Sequence, residues 1–590
     1  MSGARRSPTG GLIDRSRSIT FRFNGKEYSG HPGDTLASAL LAQGVRLFGR
    51  SFKYHRPRGV VGAGAEEPNA LVQLGEGAYS TPNLRATQIE LYQGLTARTV
   101  NGWPSLAFDI GSINNWFARL LPAGFYYKTF MWPRSAWTHY ERFIRRAAGL
   151  GVAPTAPDPD RYDKMHRHCD VLVVGGGPAG LMAALAAARA GARVILADEQ
   201  SRFGGSLLHT DARIGGESAL DWVNATVSEL KANSNVTLLP RSTVTGYYDH
   251  NFLVINERRT HHLGPGQADP RISRERLWRV RASQVVLATG AIERPLVFGS
   301  NDAPGVMLCS AVSTYIRRYA VTPGRRGAVF TNNDSGYQAA VDMAWAGMEV
   351  SAVIDLRPSP AGHAVETVEA LGIPVYAGHV VCGTRSNAQG LNRIELARLT
   401  DNGSDILSYK GLLDCQVLAI SGGWSPTVHL HSQSGAKARF DKDLACFVPG
   451  NSVQAERSAG SSAGTFDLSG CLSAGASAGV AAARASGWAG GHLDIPMAQG
   501  SQSGSIQACW EVPSPELGST GTKKFLDFQN DTTVADVQLA VREGYRSIEH
   551  VKRYTALGFG TDQGKLGNIN GMAILAKTLG QTLNDTGTTT

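Results

Sequence analysis

Three glycines at a fixed spacing carry the clearest chemistry in this 590-residue chain. They are Gly175, Gly177 and Gly180, in the run Cys169-Asp-Val-Leu-Val-Val-Gly-Gly-Gly-Pro178-Ala179-Gly180. Glycines in this order permit a sharp turn, let the backbone approach a pyrophosphate, and let the following helix pack close to its strand. A helix starting there directs unpaired N–H groups and a positive dipole end at the phosphates. Asp198, with Glu199 second, follows at about the twenty-residue interval where a carboxylate accepts from a ribose 2′-hydroxyl. An acid there favours NAD over NADP and leaves NAD and FAD both open.

The elements that must position these residues are legible around them. Val171–Val174 reads as a buried parallel strand, Leu181–Ala190 as a tightly packed small-residue helix, and Ala192 onward as a second strand ending at Asp198. Phe203-Gly-Gly205 brings backbone close to the ligand. The strand beginning at Val285 ends in Ala-Thr289-Gly290, which returns toward the nucleotide. Gly464-Thr-Phe466-Asp467 opens another small-residue helix whose N-terminus would cap the cofactor. The candidate cofactor-binding set is therefore Gly175, Gly177, Pro178, Ala179, Gly180, Asp198, Glu199, Gly205, Thr289, Gly290, Gly464 and Phe466. A second unit of the same kind starts at Gly327, but Asn332 and Asn333 stand where glycines are expected. Val350–Asp355 supplies its acid-ended strand, so this half reads as degenerate.

Composition bounds the class. Hydrophobic content of 42%, charged content of 18% and 69 glycines suit an α/β enzyme rather than a disordered chain. The net charge of +9 is spread without a long basic run, so nucleic acid is not an expected partner. No run of about eighteen apolar residues predicts a membrane span, and the start lacks a signal core, so a cytoplasmic protein is expected. The seven cysteines (169, 309, 382, 415, 446, 471 and 509) form no C-x-x-C pair and no zinc spacing. They read as reduced thiols, with no metal site. No pair of carboxylates or nucleophile with its base stands out, so no catalytic residue is assigned. His55, His139 and His209 are read as packing residues.

Before the glycine motif, residues 1–17 are polar, basic and expected to fray. Ser18 to Ser29 is a hairpin around Asn24-Gly25, and Leu36–Gln43 is a helix capped before it and closed by Gly44. This order predicts a β-grasp domain over 1–100. An aromatic-rich segment, 101–165, contains Trp103, Trp116, Phe125, Tyr126, Tyr127, Phe130, Trp132 and Trp137, read as a packing strap or subunit contact. Residues 166–500 form a two-dinucleotide-binding domain with the degenerate unit inserted at about 310–430, and 501–590 a small helical domain.

The first domain resembles plant-type [2Fe–2S] ferredoxins, whose ligands follow C-x₄-C-x₂-C. Those positions fall on Gly62, Glu67 and Ala70, and no cysteine precedes residue 169, so no iron–sulfur cluster is expected. The basic segment Phe52–Gly59 is left as either a solvated loop or a contact. The tail resembles the cluster-binding domain of opine oxidases and hydrogen cyanide synthases, with its cysteine positions near Asp527, Gln529, Asp562 and Gly567. Together with Gly-Gly-Gly-Pro-Ala-Gly, Ala-Thr-Gly-Ala-Ile-Glu-Arg-Pro and Asp-Phe-Gln-Asn-Asp, these features resemble the α subunits of heterotetrameric sarcosine oxidases. The resemblance implies an α/β fold with a cluster-less β-grasp start and NAD held by this chain without turnover. It implies FAD and FMN elsewhere in the complex, partner β, γ and δ subunits, and sarcosine as substrate. It further implies a folate-binding domain, taking up the one-carbon unit with tetrahydrofolate, that lies beyond Thr590. An FAD-dependent dehydrogenase subunit of the opine oxidase type is the alternative, as is a scaffold subunit of another N-methyl amino acid oxidase. A thioredoxin-reductase-like enzyme is disfavoured by the absent C-x-x-C pair.

Overall fold

Asn24 and Gly25 close the first hairpin because both take positive φ, 50° and 77°, as the tight turn between right-twisted strands requires. The strands β1 (Ile19–Phe23) and β2 (Lys26–Gly30) pair from Ile19↔Gly30 to Phe23↔Lys26. Thr35 then caps α1 (Leu36–Ala42), its side chain accepting from the Ser38 amide while Ser38 returns a bond to the Thr35 amide. With β3 (Leu71–Leu74), β4 (Thr81–Arg85) and β5 (Thr96–Thr99) the sheet order is β2-β1-β5-β3-β4, and β1 and β5 run parallel. That is the β-grasp arrangement the sequence predicts. The computed structural model describes residues 5–128, 132–489, 493–499, 504–514 and 522–587. Phe130 lies outside the described residues, as do the side chains of Tyr126 and Tyr127.

The chain divides into two compact units. One gathers Met1–Pro159, Glu293–Gly423 and Ser505–Thr589; the other gathers Asp160–Ile292 and Trp424–Gly504. In the first, the expected fraying of residues 1–17 is corrected from Arg5 onward. Arg5 Nη1 donates to Pro323 O (2.7 Å), and buried Arg6 pairs with fully buried Asp34 (2.8 Å). Buried polar anchors fix this arm where the sequence offers only charge.

The loop that leads into β3, residues 61–70, is built on two acids. Glu67 is fully buried and accepts from the amides of Val61 (2.7 Å), Gly62 (2.8 Å), Asn69 (2.7 Å) and Ala70 (3.0 Å). Glu66 accepts from Ala63 and Gly64. Four buried donors converge on one carboxylate, so Glu67→Gln would turn an NH₂ against them. We expect it to cost about 2–3 kcal/mol, read as faster amide exchange across residues 61–70 with the remaining β-grasp amides unchanged.

The segment Phe52–Gly59 is mostly buried or half-buried rather than a solvated loop, with Pro57 its exposed residue. Arg58 is 1% exposed and pairs with Asp302 and with Asp531 (2.5 Å), while Arg56 makes a two-pronged contact with Asp302. The amides of Lys53 and Tyr54 donate to Asp531 (3.1 and 2.8 Å). His55 Nδ1 lies 2.7 Å from Asp109. The aromatic segment that follows ends in α2 (Trp137–Ala148).

In the second unit, β6 (Tyr162–Val174), α3 (Pro178–Arg189), β7 (Val194–Ala197) and β8 (Glu275–Leu287) form the first nucleotide fold. β7, β6 and β8 are adjacent and parallel, with Val236–Leu239 outside β7 and Glu456–Ser458 alongside β8. An antiparallel meander, Ser242–Tyr248 and Phe252–Arg258, completes the sheet. Within the first unit, β9 (Arg326–Thr331), α4 (Ser335–Trp345) and β10 (Glu349–Asp355) repeat the pattern in a five-stranded parallel sheet. α5 (Leu468–Ala485) returns to the second unit and packs on α3 at backbone distance: a Cβ on Gly475 would lie 2.2 Å from Ala179 O, and one on Gly479 2.3 Å from Ala183 O. Only residues lacking Cβ allow two helices this close. Among the described residues, no helix is long and apolar enough to cross a membrane.

Candidate functional site

The turn from β6 into α3 is shaped by three glycines with three different duties. Gly175 has φ 99°, and a Cβ there would lie 2.2 Å from Ala288 O, so it is pinned against the end of β8. Gly180 lies against the turn itself: its Cβ would fall 1.8 Å from Gly175 O. Gly177 is different. It caps α3 with extended backbone, and an added Cβ would meet only Gly205 Cα, at 3.9 Å. The first and third glycines hold strand, turn and helix together, and the second leaves an open approach to the backbone. Pro178 occupies the first turn of α3, where a missing N–H costs nothing, and Ala179 follows it.

Asp198 stands just beyond β7 and is 9% exposed. Its Oδ2 accepts from the Gly176 amide (2.6 Å) and its Oδ1 from the Gln200 amide (2.7 Å). The acid therefore braces the glycine turn from beside it. Glu199 is half-buried at the next position. Gly205 approaches the turn so closely that a Cβ on it would lie 2.9 Å from Gly177 Cα, and Gly204 N donates to Gly176 O (2.7 Å). Thr289 Oγ1 donates to Thr427 O (2.9 Å), so its hydroxyl proton is already used, whereas Gly290 (φ 72°) faces open space. From the far side, Gly460 reaches α3, where its Cβ would lie 2.6 Å from Ala179 Cβ. Gly464 (φ 90°) ends that turn, and Asp467 caps α5 by accepting from Gly470 N (2.7 Å). Phe466 is half-buried and joins the group by chain position alone.

Two contributors carried little signal in the sequence. Phe203 covers Gly176, where a Cβ would meet its Cδ1 at 2.4 Å. Gly460 is the other; neither its spacing nor its neighbours fit a motif. The geometry suits an adenosine pyrophosphate: an open glycine at a helix N-terminus, a buried carboxylate beside it, and backbone on three sides. Redox chemistry by a thiol is not built in. Cys471, near Gly460, is buried, donates to Thr465 O (3.1 Å) and has its pKa raised by burial. Among the described residues, no group of three or more His, Cys, Asp or Glu side chains is placed to hold a metal ion.

The second nucleotide fold is occupied by the chain itself. Asn332 Nδ2 donates to Gln507 O (2.8 Å), and Gln507 N donates to Asn332 O (3.1 Å). Asp355, the acid ending β10, is taken by Arg357 (2.6 Å) and the Tyr337 hydroxyl (2.8 Å), and Arg357 also donates to Ser505 O (2.9 Å). The place of a phosphate is filled by asparagine and that of a ribose by arginine. Equilibrium dialysis is therefore expected to find one dinucleotide per chain, and two would contradict this geometry.

Comparison with known proteins agrees with this architecture and corrects one expectation. Residues 169–444 match the pyridine nucleotide-disulphide oxidoreductase family, and residues 521–590 the sarcosine oxidase A3 domain. Residues 16–102 match the 2Fe-2S iron-sulfur cluster binding domain. This match overturns the expectation that no iron–sulfur cluster belongs to the chain. That expectation rested on ligand residues, whereas the family is carried by the hairpin–helix framework around them. The three positions read as ligands hold Gly62, Glu67 and Ala70, so they offer no thiolate, and the loop's amides are taken by Glu66 and Glu67.

The chain is 46% identical over 592 aligned residues to sarcosine oxidase subunit alpha of Rhizobium meliloti (strain 1021), covering 99% of this chain and 57% of the relative. It is 41% identical to the corresponding subunit of Corynebacterium sp. (strain P-1), covering 100% and 56%. It thus spans somewhat over half the length of the curated relatives it matches. The solved structure of L-proline dehydrogenase from P. horikoshii aligns over 99% of this chain and 96% of its own, with TM-score 0.62 and 19% identity. That likeness is one of fold.

Proposed function

From membership of the sarcosine oxidase α-subunit family, at 38–46% identity over nearly the whole chain, we propose that this chain is the dinucleotide-binding part of an α subunit in a sarcosine-oxidising complex. The near full-length identity is the observation that carries the reading. In it, NAD lies on the Gly175–Gly180 turn, its pyrophosphate at Gly177 and the N-terminus of α3, its ribose hydroxyls at Asp198 with Glu199 beside it. Gly205, Gly290 and the Gly464 turn enclose it. The chain binds and orients this nucleotide and does not turn it over. Cys471 is a buried thiol rather than a redox partner, which supports a holding role.

The chemistry of the complex in this reading is oxidative demethylation of sarcosine to glycine, with O₂ reduced to H₂O₂. The one-carbon unit leaves as formaldehyde or is taken up by tetrahydrofolate in a region beyond this chain. FAD and FMN supply the electron acceptance, borne by the β subunit, with γ and δ completing the assembly. The setting is the cytoplasm, in keeping with seven free cysteines.

The test is to purify the chain, denature it, and identify what is released by absorbance and mass spectrometry. NAD without flavin is the expected result. Bound FAD that bleaches on adding a secondary amine would make this chain the dehydrogenase itself and overturn the reading.

A further inference from the structure

The segment between the β-grasp sheet and the first nucleotide fold exposes what folded chains usually bury. Trp116 and Trp132 are each 84% exposed and Phe143 75%, and Trp103, Phe108 and Leu120 lie open beside them in sequence. Soluble monomers seldom leave so much apolar surface on one short segment uncovered. α2 is a twelve-residue helix, amphipathic in sequence, with no fully buried side chain. The backbone beneath is nevertheless fixed. Asp109 accepts from Trp103 N (3.0 Å) and Gly111 N (3.1 Å) and holds His55. Arg50 Nε donates to Leu106 O (2.9 Å). Beyond α2, Asn83 and Gln73 donate to Leu150 O and Val152 O (2.6 and 2.7 Å). The stretch from Trp103 to Gly111 is thus anchored, and so is the chain just beyond α2.

Their charge surround is one-sided. Arg119, Arg134, Arg142 and Arg146 are exposed and have no acidic partner among the described residues, while Arg145 is satisfied by Glu141 (2.6 Å). Asp109, the other acid of the segment, is buried and committed. Exposed tryptophan with arginine is the composition of interface hot spots, and an anchored frame suits a partner of complementary shape. We propose that the described residues of this segment, 103–128 and 132–146, dock a partner subunit, the flavin-bearing chain of the complex, through an apolar patch rimmed by carboxylates. The proposal rests on the reading of this chain as one subunit of an assembly. A segment of short turns tied by hydrogen bonds to the β-grasp domain, with α2 as one part of it, favours a protein over a lipid surface.

The test is hydroxyl-radical footprinting of the complex, purified from its source through a tag on the full chain, against the same chain alone. Oxidation of Trp103, Trp116, Trp132 and Phe143 is expected to fall about fivefold or more in the complex, as for the dry centre of an interface. The double variant Trp116→Asp, Trp132→Asp should elute without the flavin-bearing chain while keeping its own dinucleotide, which shows that it folds. Three outcomes overturn the proposal with the subunit reading intact: a complex in which these side chains stay as reactive as in the chain alone, protection already present in the isolated full chain, or protection produced only by vesicles of anionic phospholipid. If no flavin-bearing chain accompanies the wild type at fixed stoichiometry, both readings fall together.

Discussion

Gly177→Val is expected to empty the nucleotide site without unfolding the chain. Residue 177 has extended backbone that any residue adopts, and a Cβ there touches only Gly205 Cα at 3.9 Å. The Cβ of the valine therefore meets little protein. It meets the ligand, because this is the backbone a pyrophosphate must approach. We expect dinucleotide affinity to drop roughly 100-fold or more, about 2.7 kcal/mol. Tm should stay within about 2 °C of the parent, as for substitutions that bury nothing and strain nothing. Gly180→Val supplies the contrast, since its Cβ would fall 1.8 Å from Gly175 O and something must move. That variant should lose stability and ligand together. Titration of the purified apo-chains, with melting curves alongside, separates the two. A Gly177→Val chain that still carries a full equivalent of dinucleotide would place the ligand elsewhere.

Why this much was readable from sequence, and no more, follows from the range of the interactions. The turn at 175–180 is local: strand, glycine spacing and small-residue helix lie within twenty residues, and Gly175 and Gly180 meet backbone from the end of β8 and from the turn itself. The acid twenty residues on was legible for the same reason. Its hydrogen bond to the Gly176 amide was not, because nothing in the spacing tells a carboxylate that faces ligand from one that also braces the turn. The second nucleotide fold shows the limit more sharply. Asn332 and Asn333 announced a degenerate turn, but the segment that fills it, Ser505 to Gln507, lies more than 170 residues downstream with no motif of its own. Glu67 shows it again. The spacing of cluster ligands in ferredoxins pointed to the position, while the four amides that converge on its carboxylate come from a loop closure that no local pattern encodes. The expectation of no iron–sulfur cluster, which the family match contradicts, rested on the same ligand positions, while the hairpin–helix framework already pointed to the ferredoxin-like fold.

The largest stability effect should come from Arg58→Met. The Arg58 guanidinium is fully buried between Asp302 and Asp531, donates through Nε to Phe528 O (2.9 Å), and lies over the Phe525 ring. Burial pulls its pKa down to about 10, with Asp531 pulling the other way, so the side chain remains charged at neutral pH. Methionine fills comparable space and removes the charge. Asp302 keeps Arg56, but Asp531, buried completely, keeps only the amide donors of Lys53 and Tyr54. Leaving one buried charge without its partner costs about 3–5 kcal/mol, far more than the intact pair contributes over an apolar replacement. The double variant Arg58→Met, Asp531→Asn should therefore be more stable than the single one, by about 1–3 kcal/mol, because it no longer buries an unpaired charge. Melting curves of the single and double variants, with amide exchange of residues 525–555 as the local readout, decide it. Equal destabilisation in both would mean that Arg58 acts by packing alone. Recovery in the double variant would mean that the segment the sequence left open between a solvated loop and a contact joins the β-grasp domain to the helical tail through buried charge.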